Sequence, residues 1–223
     1  MEFISQVLDF LLHIDTHIAE ISKTYQVWTY LILALIIFAE TGLVLFPFLP
    51  GDPLIFAAGA VVASGQTGID IYILALVLFV AAVLGNQTNY LIGEYTGSRI
   101  FKKGNKILKP SNYAKTILFF RRHGGKAVIF SRFFPVVRTF VPFVAGVGKM
   151  DKRMFLFYNV TGAFLWIAGF LALGYLFGNI PIVKENFAVA VACISVCTTL
   201  PPIIAAIVAR FKKKKVRTKL VTI

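Results

Sequence analysis

Four charged residues stand where an apolar chain should have none: Glu40 and Asp52 in one hydrophobic stretch, Arg132 and Arg138 in another. At a bilayer centre each would cost roughly 2.5 to 3.5 kcal/mol, and the four together on the order of 10 to 14 kcal/mol, unless paired or wet. Two acids on one segment and two bases on the other supply that compensation if the segments meet, leaving a polar chamber of balanced charge. Such a set can bind anions and carry protons. Arginine stays charged and offers a planar fork that binds phosphate bidentately, where a buried lysine could lose its proton, so an anionic headgroup is the natural guest. Glu40 follows Ile36, Ile37, Phe38 and Ala39; desolvation there favours the protonated acid and makes Glu40 a candidate proton carrier. Asp52, in Leu49-Pro50-Gly51-Asp52-Pro53, has a second reading as a helix cap with Pro53 at the first helical position. Arg132 and Arg138 would point about 120° apart on an unbroken helix, and Pro135 can re-aim one of them. The plainer role is a pair of salt bridges pinning the segments together. Isolated buried pairs add little net stability, however, and proline-broken membrane segments are tolerated chiefly where they line a cavity.

The elements that must position these residues are membrane helices. The chain has 223 residues, 58% of them hydrophobic and 15% charged, which is more apolar surface than one core of this length can hide. Five apolar stretches follow Tyr25: Trp28 to Val62, Ile71 to Ile92, Ala127 to Val147, Phe155 to Phe177 and Phe187 to Ala209. The second, fourth and fifth lack Asp, Glu, Lys and Arg and read as plain spans. The first carries Glu40, Asp52, Pro47, Pro50 and Pro53, and the third carries Arg132, Arg138, Pro135 and Pro142.

Charge gives the orientation. The 23 Lys and Arg against 10 Asp and Glu leave +13, concentrated between Arg99 and Lys126 and between Arg210 and Lys219, both of which are expected on the cytoplasmic side. Lys149, Asp151, Lys152 and Arg153 are also net basic, so the third stretch begins and ends on one side. It is expected to dip in and return as a re-entrant hairpin. The first stretch is expected to be a second hairpin entering from the opposite face. The alternative, a full crossing, needs an intracellular N-terminus and loses the symmetry. The predicted fold class is thus an all-α polytopic membrane protein with two opposed broken-helix hairpins in an inverted repeat. Its parts are residues 1–98 and 99–180 as the two repeats, 181–209 as an extra transmembrane helix and 210–223 as a basic tail. Residues 1–22 carry acids throughout and do not read as a signal peptide. Asn112 to Arg122 is expected to lie in the interface.

Other features are blander. Cys193 and Cys197 read as small apolar side chains of a membrane helix. His13, His17 and His123 form no ligand motif, so neither metal nor cofactor is expected. Phe130, Phe133, Phe134, Phe140 and Phe143 read as packing. The flanking bases suit lipid phosphate rather than nucleic acid.

The motifs carry a resemblance. Glu40-Thr41-Gly42, Phe46-Pro47-Phe48-Leu49-Pro50-Gly51-Asp52, Gly85-Asn86-Gln87-Thr88-Asn89-Tyr90-Leu91-Ile92-Gly93 and Phe130-Ser131-Arg132-Phe133-Phe134-Pro135-Val136-Val137-Arg138, followed by Pro142, Ala145-Gly146 and Met150, resemble the DedA family, also called SNARE-associated or VTT-domain proteins, over roughly residues 25 to 180. That family often has Asp where Asn86 stands. The resemblance implies a bacterial inner-membrane protein with a cytoplasmic C-terminus, proton-coupled and concerned with the cell envelope. Its partners would be protons, membrane lipids and an anionic lipid, above all undecaprenyl phosphate moved from the outer to the inner leaflet. It assigns proton coupling to Glu40 and Asp52 and phosphate binding to Arg132 and Arg138. General phospholipid scrambling and proton-coupled export of a small cation or drug are the alternatives. A lipid phosphatase is disfavoured, because all three histidines lie outside the spans.

Overall fold

The computed structural model describes residues 26–43, 51–65, 67–100, 125–178, 180, 181, 183 and 189. The N-terminal segment, the interfacial helix expected at Asn112 to Arg122, most of the basic loop, the last span and the basic tail lie outside these residues. Every regular element among them is a helix: α1 Gln26–Gly42, α2 Gly51–Ala63, α3 Ile71–Ile100, α4 Lys126–Ser131, α5 Pro135–Val147 and α6 Lys152–Phe177. Ile71–Thr96 and Lys152–Phe177 are each 26 residues, long and apolar enough to cross a membrane; at 1.5 Å per residue they reach about 39 Å. The other four helices are shorter, with 17, 13, 6 and 13 residues.

The two charged stretches are both divided. The first becomes α1 and α2. The second breaks at Arg132, Phe133 and Phe134, immediately before Pro135, which occupies the first turn of α5. The other proline of that stretch, Pro142, lies inside α5 without ending it. There it removes the N–H that would bond the Arg138 carbonyl.

Polarity is inverted relative to a water-soluble domain. Trp28, Tyr72, Leu76, Phe157, Phe164 and Leu176 are exposed, whereas Glu40, Asp52, Asn86, Asn89, Arg132, Arg138 and Asn159 are buried. Burying polar groups is favourable only when they satisfy one another, and a large apolar exterior suits a hydrocarbon solvent.

The short helices are exchanged between the long ones. α1 packs on α3 and α4 on α6, but α2 packs on α6 and α5 on α3. The two exchanged crossings have the same construction. A Cβ on Gly59 would strike the Leu171 carbonyl and lie 3.0 Å from the Tyr175 nitrogen, while one on Gly174 would strike the Phe56 carbonyl. A Cβ on Gly146 would strike the Tyr90 carbonyl and lie 2.8 Å from the Glu94 nitrogen, while one on Gly93 would strike the Phe143 carbonyl.

The correspondence extends beyond the crossings. α2 and α5 are each followed, two residues past the end, by a residue of positive φ, Gly65 at 69° and Lys149 at 51°. Both long helices then start on an aspartate. Asp70 Oδ1 accepts from the N–H groups of Tyr72 and Ile73 at 2.7 and 3.0 Å, and Asp151 accepts from that of Met154 at 2.9 Å. Asp70, Tyr90 and Gly93 therefore match Asp151, Leu171 and Gly174 at a constant offset along the chain.

Candidate functional site

Each charged residue of interest sits at a helix end beside a break. Glu40 lies in the last turn of α1, Asp52 in the first turn of α2, Arg132 just past α4 and Arg138 in the first turn of α5. Helix ends lack intrahelical partners for their main-chain polar groups, so these positions can converge on one another without breaking a ladder.

Three of the four meet directly. Arg138 donates through Nη2 to Glu40 Oε1 and through Nη1 to Asp52 Oδ1, the latter at 3.0 Å. All three side chains are at most 4% exposed. Glu40 Oε1 also accepts from the N–H of Gly51 at 3.1 Å, and a Cβ at Gly51 would collide with this carboxylate. The glycine thus lets the start of α2 close over Glu40. Asp52 Oδ1 accepts in addition from the indole N–H of Trp166 at 2.8 Å.

Arg132 joins the same chamber on different terms. Its guanidinium carbon lies 5.6 Å from the centre of the Trp166 ring and that of Arg138 lies 5.4 Å from it, so one indole is placed against both cations. Arg132 Nη2 donates to Asn159 Oδ1 at 2.6 Å and to the Ala82 carbonyl at 3.2 Å. Among the described residues no carboxylate lies within ion-pair distance of Arg132. The expectation of two acids facing two bases therefore takes a different form: both acids converge on Arg138, and Arg132 rests on neutral groups.

Asparagines hold the frame. Asn89 Nδ2 donates to the carbonyls of Thr41 and Thr139 at 3.3 and 2.7 Å. Those residues immediately follow Glu40 and Arg138, so Asn89 ties both main chains to α3. Asn86 Nδ2 donates to Asn159 Oδ1 at 3.2 Å, and Asn159 Nδ2 to the Val83 carbonyl at 3.0 Å.

Several buried atoms have no hydrogen-bond partner among the described residues: Glu40 Oε2, Arg138 Nε, and Nε and Nη1 of Arg132. Such groups are costly in a dry interior and call for an explanation. An acceptor oxygen is available for a proton and unused guanidinium donors for an anion. Among the described residues no group of His, Cys, Asp and Glu is arranged to hold a metal ion.

Trp166, Asn89 and Asn159 were not singled out by sequence reasoning. A tryptophan in an apolar span looks like packing. Asn159 did leave a trace, as a polar side chain in an otherwise apolar run.

Residues 49–176 match the VTT domain. The chain is 46% identical to Protein DedA of Escherichia coli K12 over 208 residues, covering 93% of this chain and 95% of that protein. It is 41% identical to an uncharacterized membrane protein of Mycobacterium leprae over 172 residues, 77% of this chain and 76% of that one. The inner membrane protein YghB of E. coli K12 is 33% identical over 179 residues, 80% and 78% of the two chains. No solved structure matches.

Proposed function

Given that the chain belongs to the DedA family of VTT-domain membrane proteins, we propose that it carries undecaprenyl phosphate from the outer to the inner leaflet of the bacterial cytoplasmic membrane, coupled to the proton motive force. The observation that carries this reading is the unequal treatment of the two arginines. Both carboxylates are engaged with Arg138, whereas Arg132 keeps Nε and Nη1 unpartnered among the described residues.

In this reading Arg132 is the resting anion receptor. Protonation of Glu40, whose Oε2 has no donor among the described residues, weakens its hold on Arg138. Arg138 then turns to the phosphate beside Arg132, and two guanidinia meet one headgroup. Loss of the proton restores the carboxylate, which competes for Arg138 and expels the phosphate. Asp52 keeps Arg138 in place through the cycle, itself held by Trp166. The polyprenyl tail stays in lipid along the apolar exterior, so no large apolar pocket is needed.

α1–α2 and α4–α5 are, in this reading, re-entrant hairpins from opposite faces, and the matched glycine crossings and aspartate caps support an inverted repeat. The C-terminus is cytoplasmic. Export of a cation would require acids free to receive it, and here both are engaged by a guanidinium.

Uptake of labelled undecaprenyl phosphate into proteoliposomes under imposed pH gradients tests the proposal. Transport above protein-free vesicles that collapses with the gradient is expected. Flux equal to that of protein-free vesicles rejects it.

A further inference from the structure

The support beneath Arg132 is itself held by hydrogen bonds. Asn159 Oδ1 accepts from Arg132 Nη2 at 2.6 Å and from Asn86 at 3.2 Å, and Asn159 Nδ2 donates to the Val83 carbonyl. Asn159 is 0% exposed and Arg132 1% exposed. A carboxylate at the same place would grip the guanidinium more strongly, because it would add the attraction of a full opposite charge to a hydrogen bond that the cation already assists. An amide stands there instead.

The matched long helices show what this position needs for packing alone. In the register that pairs Asp70 with Asp151 and Gly93 with Gly174, Asn159 falls opposite Leu78. Leu78 is buried in the apolar cluster of α1, α2, α3 and α6. The fold is thus served at this depth by a leucine-sized apolar side chain, and the amide answers to the polar groups around it, Arg132 at the shortest distance.

We infer that Asn159 is a specificity-determining positioning residue, a neutral acceptor that fixes Arg132 while leaving its positive charge uncompensated for a phosphate group. The inference rests on the proposed role of Arg132 in phosphate binding. A buried cation without a counter-ion is unfavourable, and a bound phosphate relieves that cost. An aspartate would relieve it permanently and close the site to anions. The chain's charge selectivity therefore resides in one amide as much as in the arginine it holds.

Binding can be read from the fluorescence of Trp166, which lies against both guanidinia. The chain has two tryptophans, so Trp28→Phe leaves Trp166 as the single reporter; Trp28 is exposed and remote from the chamber's chemistry. The probe is farnesyl phosphate in detergent, with farnesol and inorganic phosphate as the other arms. Asn159→Asp is expected to weaken farnesyl phosphate binding at least about tenfold, by cancelling the charge of Arg132. Asn159→Leu, which borrows the residue of the matched position, removes the support of Arg132 but keeps its charge, and is expected to weaken binding by clearly less than Asn159→Asp does. Farnesol should not bind, and inorganic phosphate should compete.

Equal binding by Asn159→Asp and the parent overturns the inference. So does an equal loss in both variants, which would make the amide a structural group, or farnesol binding as well as its phosphate. Parent protein that binds farnesyl phosphate but transports no lipid overturns the proposed function and leaves this inference standing. Parent protein that binds none overturns both.

Discussion

Trp166, on α6, donates its indole N–H to Asp52, in the first turn of α2, across 2.8 Å. This bond joins a long helix of one half to the broken segment of the other, and it occupies the carboxylate oxygen that Arg138 also reaches. Trp166→Phe keeps an aromatic ring near both arginines and removes one donor from a buried carboxylate. A hydrogen bond to a charged group contributes about 1.5 to 3 kcal/mol, so the variant should unfold at a lower temperature in detergent and transport more slowly. Unfolding at the parent's temperature would show that the bond is not formed.

Arg138→Lys retains a positive charge but not two separated donors on one plane. A single ammonium cannot reproduce the span from Glu40 to Asp52, and one acid loses its cation. Breaking a buried pair costs about 3 to 5 kcal/mol. The expected result is a chain that inserts but is markedly less stable and inactive in vesicle uptake. Normal uptake would remove the need for a planar fork.

Glu40→Gln removes one of the two negative charges on Arg138 while preserving shape. The phosphate's competitor is then gone, so anion binding should tighten and uptake should lose its dependence on the pH gradient. A steep pH dependence in this variant would exclude Glu40 as the proton carrier.

Gly51→Ala places a methyl group where the Glu40 carboxylate lies. Glu40 must swing away from Arg138, so the variant should share the altered pH response of Glu40→Gln with the carboxyl group still present. Parent-like pH dependence would mean that the closure of α2 over Glu40 is not required.

Gly59→Ala and Gly146→Ala form a matched pair. Each adds a methyl group against a main-chain carbonyl, of Leu171 and Tyr90 respectively, and overpacking of this kind costs about 1 to 3 kcal/mol. The two should lower thermal stability by similar amounts. A large loss in one and none in the other would argue against equivalent crossings.

The charged residues were legible because the cost of a charge in hydrocarbon makes Glu40, Asp52, Arg132 and Arg138 conspicuous in apolar runs. Their pairing was not, since arithmetic balances two acids against two bases whatever the geometry, and Asn159 takes the place of a carboxylate beside Arg132. The breaks were legible from proline, although Pro142 is accommodated within a helix. The correspondence between halves was legible as a pattern of broken segment and span, but not residue by residue. It rests on Phe56 with Gly59 and Phe143 with Gly146, on the glycines they meet, and on two aspartate caps, with different side chains between them. Trp166 escaped notice because an indole N–H has no signature until its acceptor is known.

The exchanged crossings have a consequence for how the chain can be divided. α2 finds its docking surface on α6 and α5 finds its own on α3, so neither half covers the second helix of its own broken segment. A polypeptide ending near residue 100 would expose the Gly59 face of α2 and the Gly93 face of α3 together. It would be an incomplete object, satisfied by its missing counterpart or by a second copy of itself. Two separately made halves, cut within residues 101–124, should therefore reconstitute one functional unit where either piece alone is degraded.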